Sequence, residues 1–416
     1  MMSAMSFSEL GLSKDLLQAV GYAGYQEPTA IQAQSIPLIL MGKDLVAEAK
    51  TGTGKTASFA LPILQLLQNS PDEKTRTIKA LILAPTRELA MQVNGAIKIF
   101  GRNLTKPLRS ILLIGGLNID VQLRGLIHGN DIVVATPGRL LDVASRQKIN
   151  FQFLKFLVID EADKMFDLGF AKELESVLNL LPAKRQNLLF SATIDDQLRI
   201  LAQSFMPQAM HIKIDDVIST IEGVHQRAIE VNREKRGPLL RHLIQTEKWQ
   251  NILIFVASVR AADILAVKLN NAHIQTEVFH GGLTQAQRTA VLNDFKQKKI
   301  NVLVATDLAA RGIDIDKLAY VVNYDLPRSP GDYIHRIGRT ARAKETGTAI
   351  SFIGHEDKSH FTLIERRVRM RLQRESIKGF ELTGEALPDL KGKAPVKGLR
   401  MSKKDKARAA AAKEKV

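Results

Sequence analysis

What most constrains this chain is a series of short apolar runs that occurs twice. "DLVAEA", "ALILAP", "SILLIGG", "DIVVATP", "FLVIDEAD" and "NLLFSAT" come first; "NILIFVAS", "TEVFHGG", "NVLVATD", "AYVVNYD" and "GTAISFI" follow. The runs are continuous rather than alternating, which suits strands buried on both faces. Between them, "TRELAMQVNGAIKIF" and "TQAQRTAVLNDFKQ" place apolar residues at i, i+3 and i+4, the spacing of an amphipathic helix. Strand, helix, strand in succession is the rhythm of a parallel sheet. The expected fold class is therefore α/β: two tandem domains, each a mostly parallel sheet flanked by helices.

A length of 416 residues is too great for one ordinary core and agrees with two domains. The expected division is 1–214, a polar linker "DDVISTIEG" at 215–223, and 224–378, with a basic tail at 379–416. The segment "HFTLIERRVRMRLQRESI" is expected to close the second domain as a helix, with Phe361, Ile364, Val368 and Leu372 on one face. After Gly379 the periodicity ends, and a disordered tail is expected.

The chain has no cysteine, which excludes disulfides and thiolate metal sites. No apolar run approaches a membrane span, and the N-terminus shows no secretory pattern, so a cytoplasmic location without membrane contact is expected. Net charge is +16, and half of it lies in 391–416, where ten Lys/Arg face two acids. A polyanionic partner fits that balance, as does a solubilising tail; charge alone does not choose.

Two motifs carry chemistry. "AEAKTGTGKT" follows a strand and opens a helical pattern, with Ala49, Gly54, Lys55 and Thr56 at phosphate-loop spacing. Small residues let the backbone of Thr51, Gly52, Thr53 and Gly54 curl so that N–H groups face phosphate. Lys55 reaches the terminal phosphates and the Thr56 hydroxyl helps hold Mg²⁺. "FLVIDEADKMFD" then crowds Asp160, Glu161, Asp163 and Asp167 at the end of a buried run. Repulsion among buried carboxylates needs compensation. Asp160 is placed to hold Mg²⁺ through its water shell, and Glu161 to orient a water for attack on the γ-phosphate. Asp163 is expected to tie the loop to other polar groups, and Asp167 to be a solvated residue or cap.

These residues resemble the DEAD-box RNA helicases of helicase superfamily 2, whose signature is "DEAD" at 160–163; the resemblance spans about residues 7 to 355. It implies two RecA-like domains, ATP and Mg²⁺ as cofactors, and RNA as partner. "GYQEPTAIQ" looks like the adenine-reading segment: Gln32 would pair with the adenine edge, Phe7 would stack on the base, and Tyr25 would pack nearby. "PTRELA" with Pro85, Thr86 and Arg87, the pair Gly115–Gly116, and "TPGR" with Thr136, Pro137, Gly138 and Arg139 look like RNA-backbone contacts. Ser191 and Thr193 of "SAT" look like a coupling link near the acidic loop.

In the second domain the resemblance assigns Arg288 of "HGGLTQAQR" and Thr306 of "TDLAARGIDI" to the RNA side, and Asp314 to the ATP ribose. In "HRIGRTAR" it implies γ-phosphate contact and transition-state charge for Arg336 and Arg339, with His335 and Arg342 connecting motifs. Two departures, Lys50 where Gln is common and Ala341 where Gly is common, remove no reactive group. The division of groups between domains implies closure around ATP and one RNA strand, local non-processive unwinding, and sequence-independent grip through phosphate and 2′-OH. The tail is expected to add nonspecific RNA affinity, so deleting 391–416 should flatten the salt dependence of binding. An ATP-controlled RNA clamp is the alternative reading, with a DNA translocase third. A monomer is expected; ribosomal or degradation complexes are open as partners.

Overall fold

The structure is a computed structural model and describes residues 5–49, 52–70, 76–146, 149–214, 223–310, 318–340, 347–368 and 370–384. Thr51, Asp314 and Arg342, the departures Lys50 and Ala341, and the tail from 385 lie outside the described residues, as does the linker apart from Gly223.

The first lobe holds strands β1 (Leu45–Glu48), β2 (Ala80–Leu83), β3 (Ser110–Leu113), β4 (Ile132–Ala135), β5 (Phe156–Ile159), β6 (Gln186–Ser191) and β7 (Met210–Lys213). They form one sheet in the order β3-β4-β2-β5-β6-β1-β7, and every pairing is parallel. The continuous apolar runs follow from this arrangement. Ala80 and Ile82 of β2 enter one core cluster, while Leu81 and Leu83 enter the cluster on the opposite face. Successive side chains point to opposite sides of a strand, so a sheet covered on both faces needs apolar residues at every position.

The second lobe repeats the plan with β8 (Val224–Glu230), β9 (Ile252–Val256), β10 (Thr276–Phe279), β11 (Val302–Thr306), β12 (Tyr320–Asn323), β13 (Gly347–Ile353) and β14 (Arg374–Glu375). Their order is β10-β11-β9-β12-β13-β8-β14, again all parallel. Both sheets match the RecA-like plan. The β-α-β connections place all C-terminal strand ends of a sheet on one edge, where an open parallel sheet binds its ligands.

Three strands were not expected from the apolar pattern: β7, β8 and β14. Of "MHIK" in β7 only Ile212 is buried, and β8 reads "VHQRAIE". Near a sheet edge one face meets water, and the continuous apolar signal is lost. The closing helix is also shorter than expected. It spans Lys358–Val368, with Phe361, Ile364 and Val368 buried. Leu372 joins the same cluster from non-helical chain, because the segment turns to pair Arg374–Glu375 with β8. The chain beyond Gly379 is held as far as Gly384. Phe380 packs on the His242 ring, and Asn232 exchanges hydrogen bonds with Thr383. Among the described residues no helix is long and apolar enough to cross a membrane.

Candidate active site

The phosphate loop leaves β1 beside β6, where the Ala49 N–H donates to Ser191 O at 2.8 Å. Gly52 and Gly54 have φ of 83° and 92°, the left-handed region that favours glycine. A Cβ on Gly54 would also collide with the Gln32 amide. Gln32 is fully buried; its Oε1 accepts from Thr29 N (3.0 Å) and its Nε2 donates to Gly54 O (3.2 Å). The adenine-reading segment and the phosphate loop are thus one unit. Phe7 is 5% exposed and meets Tyr25 edge-on at 6.3 Å, and Tyr25 leans on Phe100. Phe7 therefore anchors this unit to the core.

Lys55 opens the helix Lys55–Gln68, is buried, and its Nζ has no hydrogen-bond partner among the described residues. Thr56 follows it, half-buried. Across the loop, β5 delivers Asp160 and Glu161, both 2% exposed. Asp160 Oδ1 likewise lacks a partner among the described residues. Burial pushes the Asp160 carboxyl up to about 6, against the pull of Lys55. A buried cation and a buried carboxylate oxygen left without partners beside a glycine cradle fit a phosphate and its divalent metal.

Glu161 adopts φ 51°, uncommon for a residue with a side chain. Its carboxylate is paired with Lys164, one helical turn on and 3% exposed. Burial alone would raise the Glu161 carboxyl; Lys164 and then Lys55 outweigh it and hold it well below the usual range. Nothing in the motif reading singled out Lys164. The available signal was its i+3 spacing from Glu161 at a helix start.

Asp163, Ser191 and Thr193 meet. Asp163 N donates to Ser191 Oγ (3.1 Å), Ser191 Oγ donates to Thr193 O (2.7 Å), and Thr193 N and Oγ1 both donate to Asp163 Oδ2 (3.2 Å). Asp163 thus ties the acidic loop to the end of β6. Opposite stands the second lobe. Burial first, and then Lys164, push the His335 imidazole down to about 4, against Asp163 and Glu161. The Arg339 charge in turn bears on Lys164.

Arg336 departs from its expected place. Its side chain is 3% exposed and turned into its own lobe, where Nε and Nη2 donate to the two Asp307 oxygens at 2.6 and 2.7 Å. Its Nη1 donates to Asn323 Oδ1 (2.9 Å) and Asp325 O (2.6 Å), and the guanidinium lies over the Phe255 ring. All three nitrogens are engaged within the second lobe, which does not suit the γ-phosphate contact expected of Arg336.

Elsewhere in the first lobe, Thr86 caps the helix Arg87–Phe100 and accepts from Leu89 N at 3.3 Å. Arg87 lies over Gly115 and Gly116; a Cβ on either would press on its guanidinium, and Gly116 has φ 78°. Thr136 N donates to Leu113 O, Arg139 Nη1 donates to Leu117 O (3.0 Å), and Gly138 has open space where a Cβ would stand. Pro85 and Pro137 are buried and shape the turns rather than face a ligand. Thr306 ends β11. Arg288 is a second correction: it is turned inward over Phe279, 4.7 Å from the ring centroid, and pairs with Glu88 of the first lobe at 3.0 Å. Its charge is thereby engaged within the protein, away from an RNA phosphate.

The fold and site define a two-lobed nucleotide hydrolase with a nucleic-acid face. Residues 29–201 match the DEAD/DEAH box helicase model, and 234–344 the helicase conserved C-terminal domain. The chain is 40% identical over 369 residues to the DEAD-box ATP-dependent RNA helicase CshA of Bacillus cereus, covering 89% of this chain and 69% of that one. S. cerevisiae Dbp5 bound to RNA and ADP BeF3 is 31% identical, with 89% of this chain and 95% of that chain covered and a TM-score of 0.80. A DEAD box protein from Methanococcus jannaschii is 39% identical, covers 89% and 99%, and has a TM-score of 0.52. This chain belongs to the DEAD-box ATP-dependent RNA helicases, and its activity is RNA-dependent ATP hydrolysis.

Proposed function

We propose that the chain separates short RNA duplexes locally and without processive movement, by closing its two lobes around ATP and one RNA strand. The observation that carries this reading is contact between the lobes: Arg288 of the second stands 3.0 Å from Glu88 of the first, and the charges of Lys164, Asp163 and Glu161 bear on His335. The TM-scores support it: the relative carrying RNA and ADP BeF3 superposes better than the Methanococcus protein of higher identity. Identity reports local sequence, whereas a whole-chain superposition also reports how two lobes are set, so the scores favour a setting of the lobes like that of the relative carrying RNA.

In this reading Gln32, with Phe7 and Tyr25 behind it, selects adenine. Gly52, Thr53, Gly54 and Lys55 receive the phosphates. Thr56 and Asp160 hold Mg²⁺, which offsets phosphate charge when bound. Glu161 orients the attacking water, held in place by Lys164. Arg339 meets the charge that develops on the γ-phosphate, a contribution of about 10³–10⁵ in rate for such a finger. Arg87, Gly115, Gly116, Thr136, Gly138, Arg139 and Thr306 grip backbone, which gives sequence-independent binding. Asp163, Ser191 and Thr193 carry the state of the acidic loop to that grip.

Steady-state phosphate release with and without RNA, alongside unwinding of a short duplex, tests this. Glu161→Gln should abolish multiple-turnover unwinding yet retain ATP-dependent RNA binding, and Arg339→Ala should remove RNA stimulation. Full-speed stimulated hydrolysis in Arg339→Ala would overturn the closure reading.

A further inference from the structure

We propose that Arg336 is a positioning residue: through Asp307 it ties the strand end that carries Thr306 to the turn that carries Arg339, so that seating RNA and seating the arginine finger become one movement. This rests on the functional reading above, in which Thr306 faces RNA and Arg339 faces the γ-phosphate.

The geometry is that of a brace. Asp307 is the residue after Thr306, and Arg336 stands three residues before Arg339. Between them run two near-parallel bonds, 2.6 and 2.7 Å, the fork-to-fork arrangement that fixes orientation as well as distance. The guanidinium is also fixed from two other directions. Asn323 accepts from it and in turn donates to Ser351 Oγ at 3.1 Å, and Asp325 receives it through its carbonyl while its Oδ2 accepts from Ala257 N at 2.8 Å. Asp307 after β11, Asn323 at the end of β12, Asp325 beyond it and Phe255 of β9 thus hold one side chain. The finger is locked to the same frame: Arg339 N donates to Arg336 O (3.2 Å), Leu318 N donates to Arg339 O (3.1 Å), and Thr340 Oγ1 donates to Leu318 O (2.5 Å).

A displacement at Thr306 moves Asp307, and the fork passes it to Arg336 and the backbone of Arg339. For Arg336 to reach a phosphate instead, it would have to leave Asp307 as an unpaired carboxylate, only partly exposed, and vacate the Phe255 face, both unfavourable. Lysine cannot replace the fork, because a single ammonium makes no bidentate contact.

The experiment compares wild type, Asp307→Asn, Arg336→Lys and the double variant in the full chain. It reads ATPase with and without RNA, the affinity preference for ADP BeF3 over ADP without RNA, and the melting temperature. Asp307→Asn is expected to lower the RNA-stimulated kcat about tenfold to 100-fold, the scale of a misplaced catalytic group. Its RNA-free rate should stay within about twofold. The double variant should be no worse than the poorer single, since both remove one shared contact. Neither single should change the preference for ADP BeF3. Should Asp307→Asn melt early, Asp307→Glu keeps the charge, shifts the carboxylate, and carries the same expectation. The proposal is overturned if Arg336→Lys abolishes the ADP BeF3 preference while Asp307 variants are stimulated like wild type, or if the two losses multiply. A wild type that RNA does not stimulate would instead defeat the parent reading.

Discussion

Glu88 of the first lobe and Arg288 of the second stand 3.0 Å apart, carboxylate oxygen to guanidinium nitrogen. Gln285 donates to the same oxygen at 3.3 Å. Glu88 adjoins Arg87 at the start of the helix Arg87–Phe100, and Arg288 lies one turn into the helix Gln285–Lys296. The pair is almost out of water, so its attraction is poorly screened. It is a charge contact that exists only when the lobes meet.

A double-mutant cycle on Glu88→Gln and Arg288→Met therefore should show coupling of about 1–3 kcal/mol in RNA-stimulated kcat/KM. Each single variant should melt within a few degrees of wild type, since each lobe keeps its own core. Additive losses would assign the two residues to separate roles.

His335 gives closure a pH dependence. Facing the acidic loop it titrates at about 4, whereas in an open form it returns towards 6.5. Above 6.5 the imidazole is neutral in both forms and closure is unaffected. As pH falls from 6.5 towards 4, the open form takes up a proton that the closed form refuses, so closure weakens by up to roughly tenfold per pH unit. Nucleotide-dependent RNA affinity should fall across that window in wild type, and His335→Gln should flatten the decline.

Gly54→Ala should disable the nucleotide site. The left-handed backbone costs an alanine roughly 1–2 kcal/mol, and its methyl would push Gln32 off Thr29 and Gly54. Binding of a fluorescent ATP analogue should weaken by about tenfold or more, with melting lowered by about 2–8 °C.

Arg236 is a structural counterpart. Its side chain is 3% exposed and bridges Asp325 (3.2 Å), Asp357 and the Tyr324 carbonyl (3.1 Å). Arg236→Ala leaves two partly buried carboxylates without their cation, a loss of about 3–5 kcal/mol. Thermal unfolding of the second lobe should come roughly 10 °C earlier, while the first lobe's transition is unchanged.

The two apolar series, the phosphate loop, the acidic quartet and the second-lobe arginines were all legible in order along the chain. They are local: a doubly covered strand must be apolar throughout, and a loop that cradles phosphate must have its small residues and lysine adjacent. The half-exposed strands β7 and β8 escaped the same reasoning, because water on one face removes the pattern. So did Lys164, an ordinary helix residue until its surroundings close over it.

The amino-acid order by itself determined the class of fold, the family and the nucleotide chemistry. Only the tertiary structure decided how the arginines of one motif are set: Arg336 is consumed by Asp307, Asn323 and Asp325, and the charge of Arg339 bears on Lys164 of the other lobe. It likewise turned Arg288 from RNA to Glu88. A guanidinium's role is set by the groups that face it, and those come from segments far apart in sequence, brought together only when the sheets have formed.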